Sequence, residues 1–333
     1  MSIQSSDAKD TPKPGKKRGR WFKLASGVTI LGLILGLGLL GRYALWVRTV
    51  NESLDSIQAG NFVQAQEQAR HALAMMSILP DAKSFAISLR LFSNMYSCRR
   101  LFQKAEVYNM RLMIFDRKHW GQESVEYADA LASLALIKRK VQQWAESEMM
   151  YKNAIASYAK HSGAEVEGAH AKALCAWVQL KQNKIDDALT SINESDAVLK
   201  AKFGEKHFER LVGLVELAVI HEKQGKNELL RSEVESLYKM VTEPKLEASS
   251  AQTVVVLNLL AQYLVEFGED EKALRVFEIA EANCKNSVFG GENNLFMVDI
   301  LEPHAKLLEK MGRKADALVL KKRAIEIRGI ELS

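Results

Sequence analysis

The sequence predicts an all-α protein in which about seven helix-turn-helix units stack into a solenoid, preceded by one transmembrane helix. Three observations predict it. The first is a recurring spacing: a small residue, a turn residue seven positions later, and an Ala five positions further on. It falls at Ser53/Gly60/Ala65, Ser93/Arg100/Ala105, Ser133/Lys140/Ala145, Ala176/Asn183/Ala188, Ala218/Gly225, Ala261/Gly268/Ala273 and Ala305/Gly312/Ala317. Successive units are about 40 to 44 residues apart, and a fixed period in that range marks stacked repeats that bury a core only against each other. The second is composition. With 19 Gly and 5 Pro in 333 residues, few positions can break a helix. The third is the stretch from Leu24 to Gly41, which carries no charge at all.

Taken in order, residues 1–20 are polar, basic and poor in apolar groups, and a disordered tail is expected there. The transmembrane helix is expected over residues 21–47. Its uncharged core of eighteen residues spans about 27 Å as a helix, close to the hydrocarbon thickness of a bilayer. Trp21 and Phe22 stand at one end, Tyr43 and Trp46 at the other, as interfacial aromatics do. A cleaved signal peptide is the alternative, but Arg42-Tyr43-Ala44-Leu45-Trp46 offers no small-x-small site. Gly32 and Gly36 form one G-x-x-x-G, a spacing that lets two membrane helices pack closely, so a weak homodimer through this helix is one expectation. Seven Lys/Arg precede Leu24, and few follow Gly41 closely. The positive-inside rule then puts the N-terminus in the cytoplasm and the repeats across the membrane, in the periplasm if the source is a bacterium.

The repeats are expected over residues 48–333. From Arg42 to Ile57 no Gly or Pro interrupts the chain, so the membrane helix should run on into the first repeat. Gly60-Asn61 turns it. The clearest unit runs from Leu260 to Ala280, two short helices about Gly268, with Ala261 and Ala273 small enough to let them touch. Asp186 and Asp187, and likewise Glu269, Asp270 and Glu271, fall where second helices start, a place where acids favour the helix dipole. Pro303 falls inside an expected helix and should start it late or kink it.

This pattern resembles the tetratricopeptide repeat family, whose units carry a small residue at the eighth position and Ala at the twentieth. The long period resembles the kinesin-light-chain-like variety, as do Phe203-Gly204-Glu205-Lys206-His207 and Phe289-Gly290-Gly291-Glu292-Asn293. The resemblance covers roughly residues 50 to 330. Leu230 departs from it at the second small position of the fifth unit, and Ser replaces Ala at the first anchor of the first three units. The resemblance implies a right-handed solenoid that binds proteins or peptides in its concave groove.

It also implies which residues line that groove. The position after each small anchor should turn inward: Leu54, Asn94, Leu134, Trp177, Val219, Gln262 and Lys306. Three positions on stand Ile57, Ser97, Ile137, Leu180, Glu222, Val265 and Glu309. Some family members grip a chaperone's C-terminal carboxylate with a Lys/Asn/Arg clamp. Arg90 and Asn94 lie one turn apart, but Leu134 and Leu174 stand where further polar members belong, so that partner is not carried over. The candidate partner-binding groove is Arg90, Asn94, Leu134, Trp177, Leu180, Val219 and Gln262. The alternative is that neighbouring helices cover these side chains.

No nucleotide-binding loop, nucleophile elbow or zinc-protease motif occurs, and the seven His residues do not cluster. Cys98, Cys175 and Cys284 lie in separate units, an odd count with no C-x-x-C pair, and are expected as small buried residues. The net charge of +5 sits wholly in residues 1–23, which leaves the repeats neutral and argues against a nucleic-acid partner. No cofactor or metal is expected. The reading is a membrane-anchored scaffold that binds a protein or peptide and catalyses nothing. The alternative is a chaperone-like or translocation-associated membrane subunit with extracytoplasmic repeats.

Overall fold

The computed structural model describes residues 17–78, 81–205, 207–242, 251–286 and 293–332, with side chains at 38–76, 81–205, 207–242, 253–286 and 293–329. Among these residues there are fourteen α-helices, one 3-10 turn and no strand. The chain divides into two compact units, residues 1–48 and 49–333.

Helix α1 (Lys17–Gln58) starts in the first unit. The expected tail lies outside the described residues up to residue 16, and most side chains of the Leu24–Gly41 stretch, Gly32 and Gly36 included, lie outside them too. Among the described residues no helix is long and apolar enough to cross a membrane.

The second unit is an α-solenoid. Its first half holds α2 (Phe62–Ile78), α3 (Ala82–Cys98), α4 (Phe102–Trp120), α5 (Val125–Lys140), α6 (Trp144–Tyr158), α7 (Glu165–Lys181) and α8 (Ile185–Phe203). Its second half holds α9 (Leu211–Lys223), α10 (Asn227–Thr242), α11 (Ala251–Glu266), α12 (Asp270–Asn286), α13 (Leu295–Lys310) and α14 (Lys314–Leu332). Each odd-numbered helix pairs with the even-numbered one after it. Side-chain caps fix several starts: Asp81 accepts from the Ser84 N–H at 2.9 Å, Ser124 from Tyr127 at 3.2 Å, and Asn294 from Phe296 at 2.9 Å.

The seven turns share one geometry. Gly60, Arg100, Gln142, Asn183, Gly225, Gly268 and Gly312 all have φ between 55° and 82°. The N–H of the following residue reaches back to the last turn of the first helix, as Glu269 does to the Leu264 carbonyl at 2.8 Å and Gln143 to Lys138 at 2.9 Å. This is the Schellman closure of a helix end, which favours Gly because the left-handed conformation crowds a Cβ. Three units adopt it with Arg, Gln or Asn.

These turns correct the register of the third unit. The residue at positive φ there is Gln142, while Lys140 still belongs to α5. The anchors are therefore Ala135 and Ser147, both fully buried, in place of Ser133 and Ala145; Ala145 is exposed. The reason is the buried stripe of the second helix. Counting seven residues from each second anchor reaches Ala72, Leu112, Ala154, Ser195, Leu237, Ala280 and Ala324, all buried. Anchoring α6 on Ala145 would turn the charged Lys152 inward at that position. Anchoring on Ser147 buries Tyr151 and Ala154 instead.

The core is continuous through the last three units, where Leu211, Leu237, Leu257, Phe277, Cys284 and Ile300 join one cluster. All three cysteines are buried and lie outside any disulfide. Helix α13 runs unbroken through Pro303, so it does not start late at the proline. Within residues 49–333 the array curves until early and late repeats meet. Asn293 Nδ2 donates to the Ala59 carbonyl at 3.2 Å, Gln58 Nε2 to the Lys285 carbonyl at 3.3 Å, and Arg100 pairs with Asp299 at 2.6 Å.

Candidate functional site

That curvature encloses a hollow, lined by the first helices of the units. Three cavities adjoin in it, and Lys140 and Phe296 line all three. One, of about 310 Å³, lies against Leu136, Leu174, Trp177, Val215, Val219, Val255 and Leu259. A second, of about 780 Å³, lies against Asn258, Gln262, Val265, Asp299 and Lys306. The third, of about 170 Å³, lies between Asn94, Ser97, Phe102 and Leu136.

Of the residues expected in the groove, Trp177 and Val219 line the same cavity, Gln262 the second, and Asn94 the third. Trp177 is half-buried, with the Lys181 ammonium 4.5 Å from its ring centroid. The other three lie elsewhere. Leu134 is 2% exposed, because the two-residue shift in register turns it into the stack and brings Leu136 to the hollow. Leu180 is buried with Ala176, Ala188, Ile192 and Ile220, where the two helices of its unit meet. Arg90 lines none of these three cavities. It sits 3.7 Å from Asp129, next to the fully buried Asp116.

The lining also holds residues that a single inward position per unit misses. On α9, Val212, Val215, Glu216 and Val219 all reach the hollow, at i, i+3, i+4 and i+7. Leu174 stands three before Trp177, and Val255 and Leu259 stand seven and three before Gln262. Ordinary helical spacing, counted back from the inward residue, finds them. Phe296 stands ten before the inward Lys306 on the same helix, and it meets Asn94 and Trp177 only because the array curves round to them.

The charged groups have unequal environments. Lys140 keeps its side chain in solvent but stands inside the hollow. Desolvation by the surrounding walls, with Arg139 and Arg100 adding repulsion, pushes its ammonium down to about 8, against the pull of Asp299. Glu216 is 4% exposed, and its Oε2 has no hydrogen-bond partner. Burial raises its carboxyl well above the usual carboxylate range, although Arg139 opposes the shift. Glu148 shows the opposite case. Burial would raise its carboxyl, but Lys152, Lys184 and Gln182, at 2.6 to 2.8 Å, hold it down at about 2. Among the described residues no group of three His, Cys, Asp or Glu side chains is placed to hold a metal ion.

A scan of protein-family models finds no match, and neither does a search of curated proteins. Solved structures do match. Aspartyl phosphate phosphatase F from Bacillus subtilis aligns with 90% of this chain and 74% of its own, at a TM-score of 0.60 and 13% identity. A Rap protein complexed with competence and sporulation factor aligns over 86% of this chain and 76% of its own, at 0.59 and 12%. The Rap conjugation gene regulator of plasmid pLS20, in complex with the Phr* peptide, aligns over 86% and 96%, at 0.52 and 13%. At such identities the likeness is one of fold alone: an α-solenoid of paired helices.

Proposed function

We propose that this chain is a membrane-anchored, non-catalytic scaffold that holds an extended peptide or protein segment in the hollow of its repeats. One observation carries the reading. Leu136, Leu174, Trp177, Val219, Val255 and Leu259 come from four successive units and present partly exposed apolar surface to one concave space. Concave apolar surface with a few polar groups is what ligand pockets are lined with, and aromatic residues dominate binding hot spots. Two proteins of like fold were solved with a bound factor or peptide, which supports a ligand of that kind. The anchor rests on the uncharged stretch from Leu24 to Gly41. The excess of Lys and Arg before it favours repeats on the far side of the membrane, in the periplasm if the source is a bacterium.

The test is photo-crosslinking in the native cell, from p-benzoylphenylalanine placed at Val219 of the full-length chain. The expected result is a discrete captured peptide or protein that Trp177→Ala loses. Capture of lipid alone, or of the same species with and without Trp177, overturns the reading.

A further inference from the structure

The cavity beside Trp177 has a chemical bias beyond its apolar wall. Three aromatic rings line it, from Trp144, Trp177 and Phe296. Glu216 lines the same space, more than nine-tenths buried, with Oε2 unpartnered. Its neighbours on that face of α9, Val212, Val215 and Val219, are all apolar, so packing does not call for an acid there. A carboxyl left unsatisfied in a buried site costs stability until a partner arrives. Aromatic faces attract organic cations, and a charge-assisted hydrogen bond is the strongest partner a carboxylate can take.

Resting on the peptide-holding reading above, we propose that this cavity receives a basic side chain of the bound segment, an ammonium or guanidinium on an apolar stem. The stem lies along Val215, Val219 and Leu259, and the charge meets Glu216. Four other groups face Glu216 or feel its charge: Arg139 and Lys140 of α5 line the cavity, and Tyr151 of α6 and Cys175 of α7 lie close enough to interact electrostatically. Arg139 repels a cation and attracts an anion, so it defines the opposing outcome. Because burial favours the protonated acid, an arriving cation drives the Glu216 proton to solvent, and affinity should rise with pH.

The experiment titrates the full-length chain with hexylammonium, hexanol and hexanoate, read by tryptophan fluorescence and ligand-detected NMR between about pH 6 and 8. Hexylammonium should bind at least about tenfold more tightly than the other two, the scale of a buried charged hydrogen bond. Glu216→Gln should remove that preference while hexanol still binds, and Arg139→Gln should tighten hexylammonium. Hexylammonium affinity should climb with pH while hexanol affinity stays level, and the climb should flatten in Glu216→Gln; a climb that persists there belongs to Lys140 and overturns the assignment. The proposal is overturned by tightest binding of hexanoate, by equal binding of the three, by binding of none, or by a preference that survives in folded Glu216→Gln. If hexanol and hexanoate bind and Trp177→Ala loses both, the hollow remains an apolar receptor and only the cation assignment falls.

Discussion

Ser147 donates its hydroxyl to the backbone carbonyl of Ala135, twelve residues earlier, at 2.7 Å. Ser53 makes the same bond to Ala65 at 2.8 Å, and Ser93 to Ala105 at 3.2 Å, each across the contact between the two helices of its unit. In the first two units the Ser is on the first helix, and in the third it is on the second. Ser thus replaces Ala at these contacts because its one extra atom finds a carbonyl on the facing helix.

The register of the third unit can be tested at that contact. Ala135→Leu should destabilise the chain by about 1–3 kcal/mol through overpacking. Ser133→Leu, at a half-buried position, should cost less than Ala135→Leu. Ser147→Ala should cost about 0.5–1.5 kcal/mol for the lost hydrogen bond. Urea melts of the three variants decide it, and a larger loss at Ser133 than at Ala135 would restore the other register.

The meeting of early and late repeats depends on Gly60. A Cβ there would lie 2.7 Å from the Asn293 Cβ, on a backbone with φ +80°. Gly268 has φ +75°, but a Cβ there would meet nothing within 4 Å. Gly268→Ala therefore carries only the backbone cost, about 1–2 kcal/mol. Gly60→Ala should carry that cost and also push Asn293 from the Ala59 carbonyl. Hydrogen exchange should show faster opening around Asn294 in Gly60→Ala and not in Gly268→Ala. Equal behaviour would mean the contact has no hold on the array.

Trp177→Ala should remove apolar surface from the hollow and leave the stack intact, because each repeat of a solenoid contacts mainly its neighbours. Affinity for the bound segment should fall by about 2 kcal/mol or more, the usual threshold of a hot spot. Helicity should be unchanged. A loss of about 3–5 kcal/mol in stability, the cost of emptying a packed Trp site, would instead make Trp177 a core residue.

Asp116 gives a pH dependence with a definite sign. It is fully buried, and neither carboxylate oxygen has a hydrogen-bond partner. Burial raises its carboxyl to about 7, against the pull of Arg90, with Glu126 and Asp129 adding to the rise. In the unfolded chain it ionises near 4, so between about pH 4 and 7 the folded state holds the extra proton. The group's cost is full above pH 7 and declines as the solution is acidified towards 4. Asp116→Asn should therefore raise the melting temperature most at pH 8, by much less near pH 5, and hardly at all near pH 4. A gain that is independent of pH would show that the carboxyl does not titrate in this window.

The proposed orientation in a membrane rests on the basic flank before Trp21. A reporter fused after Ser333 that is active only outside the cytoplasm should be active. Moving the lysines that precede Trp21 to positions after Trp46 should weaken or invert the signal. Activity of a cytoplasm-only reporter at Ser333 would reverse the topology.

The helices, their pairing and six of the seven turns were legible in the sequence, because each is decided within about twenty residues. A small residue must stand where two helices touch, and a residue tolerant of positive φ must stand between them. Local spacing was ambiguous only where two small residues lie two apart, at Ser133 and Ala135 and again at Ser147 and Ala145. There the buried stripe of α6 chose, since one register buries Tyr151 and Ala154 and the other buries Lys152. Trp177, Val219, Gln262 and Asn94 were found on the hollow because an inward position follows directly from its anchor. Tertiary structure alone decided that Phe296, some two hundred residues from Asn94, shares a cavity with it, and that Arg100 meets Asp299. A small rotation per repeat accumulates into that closure, and no single repeat encodes it. For the same reason Glu216 reads in the sequence as one more acid on a helix. Its place beside Trp177, Val219 and Leu259, in one cavity with Arg139 and Lys140, is a property of four units brought together by the curvature of the array.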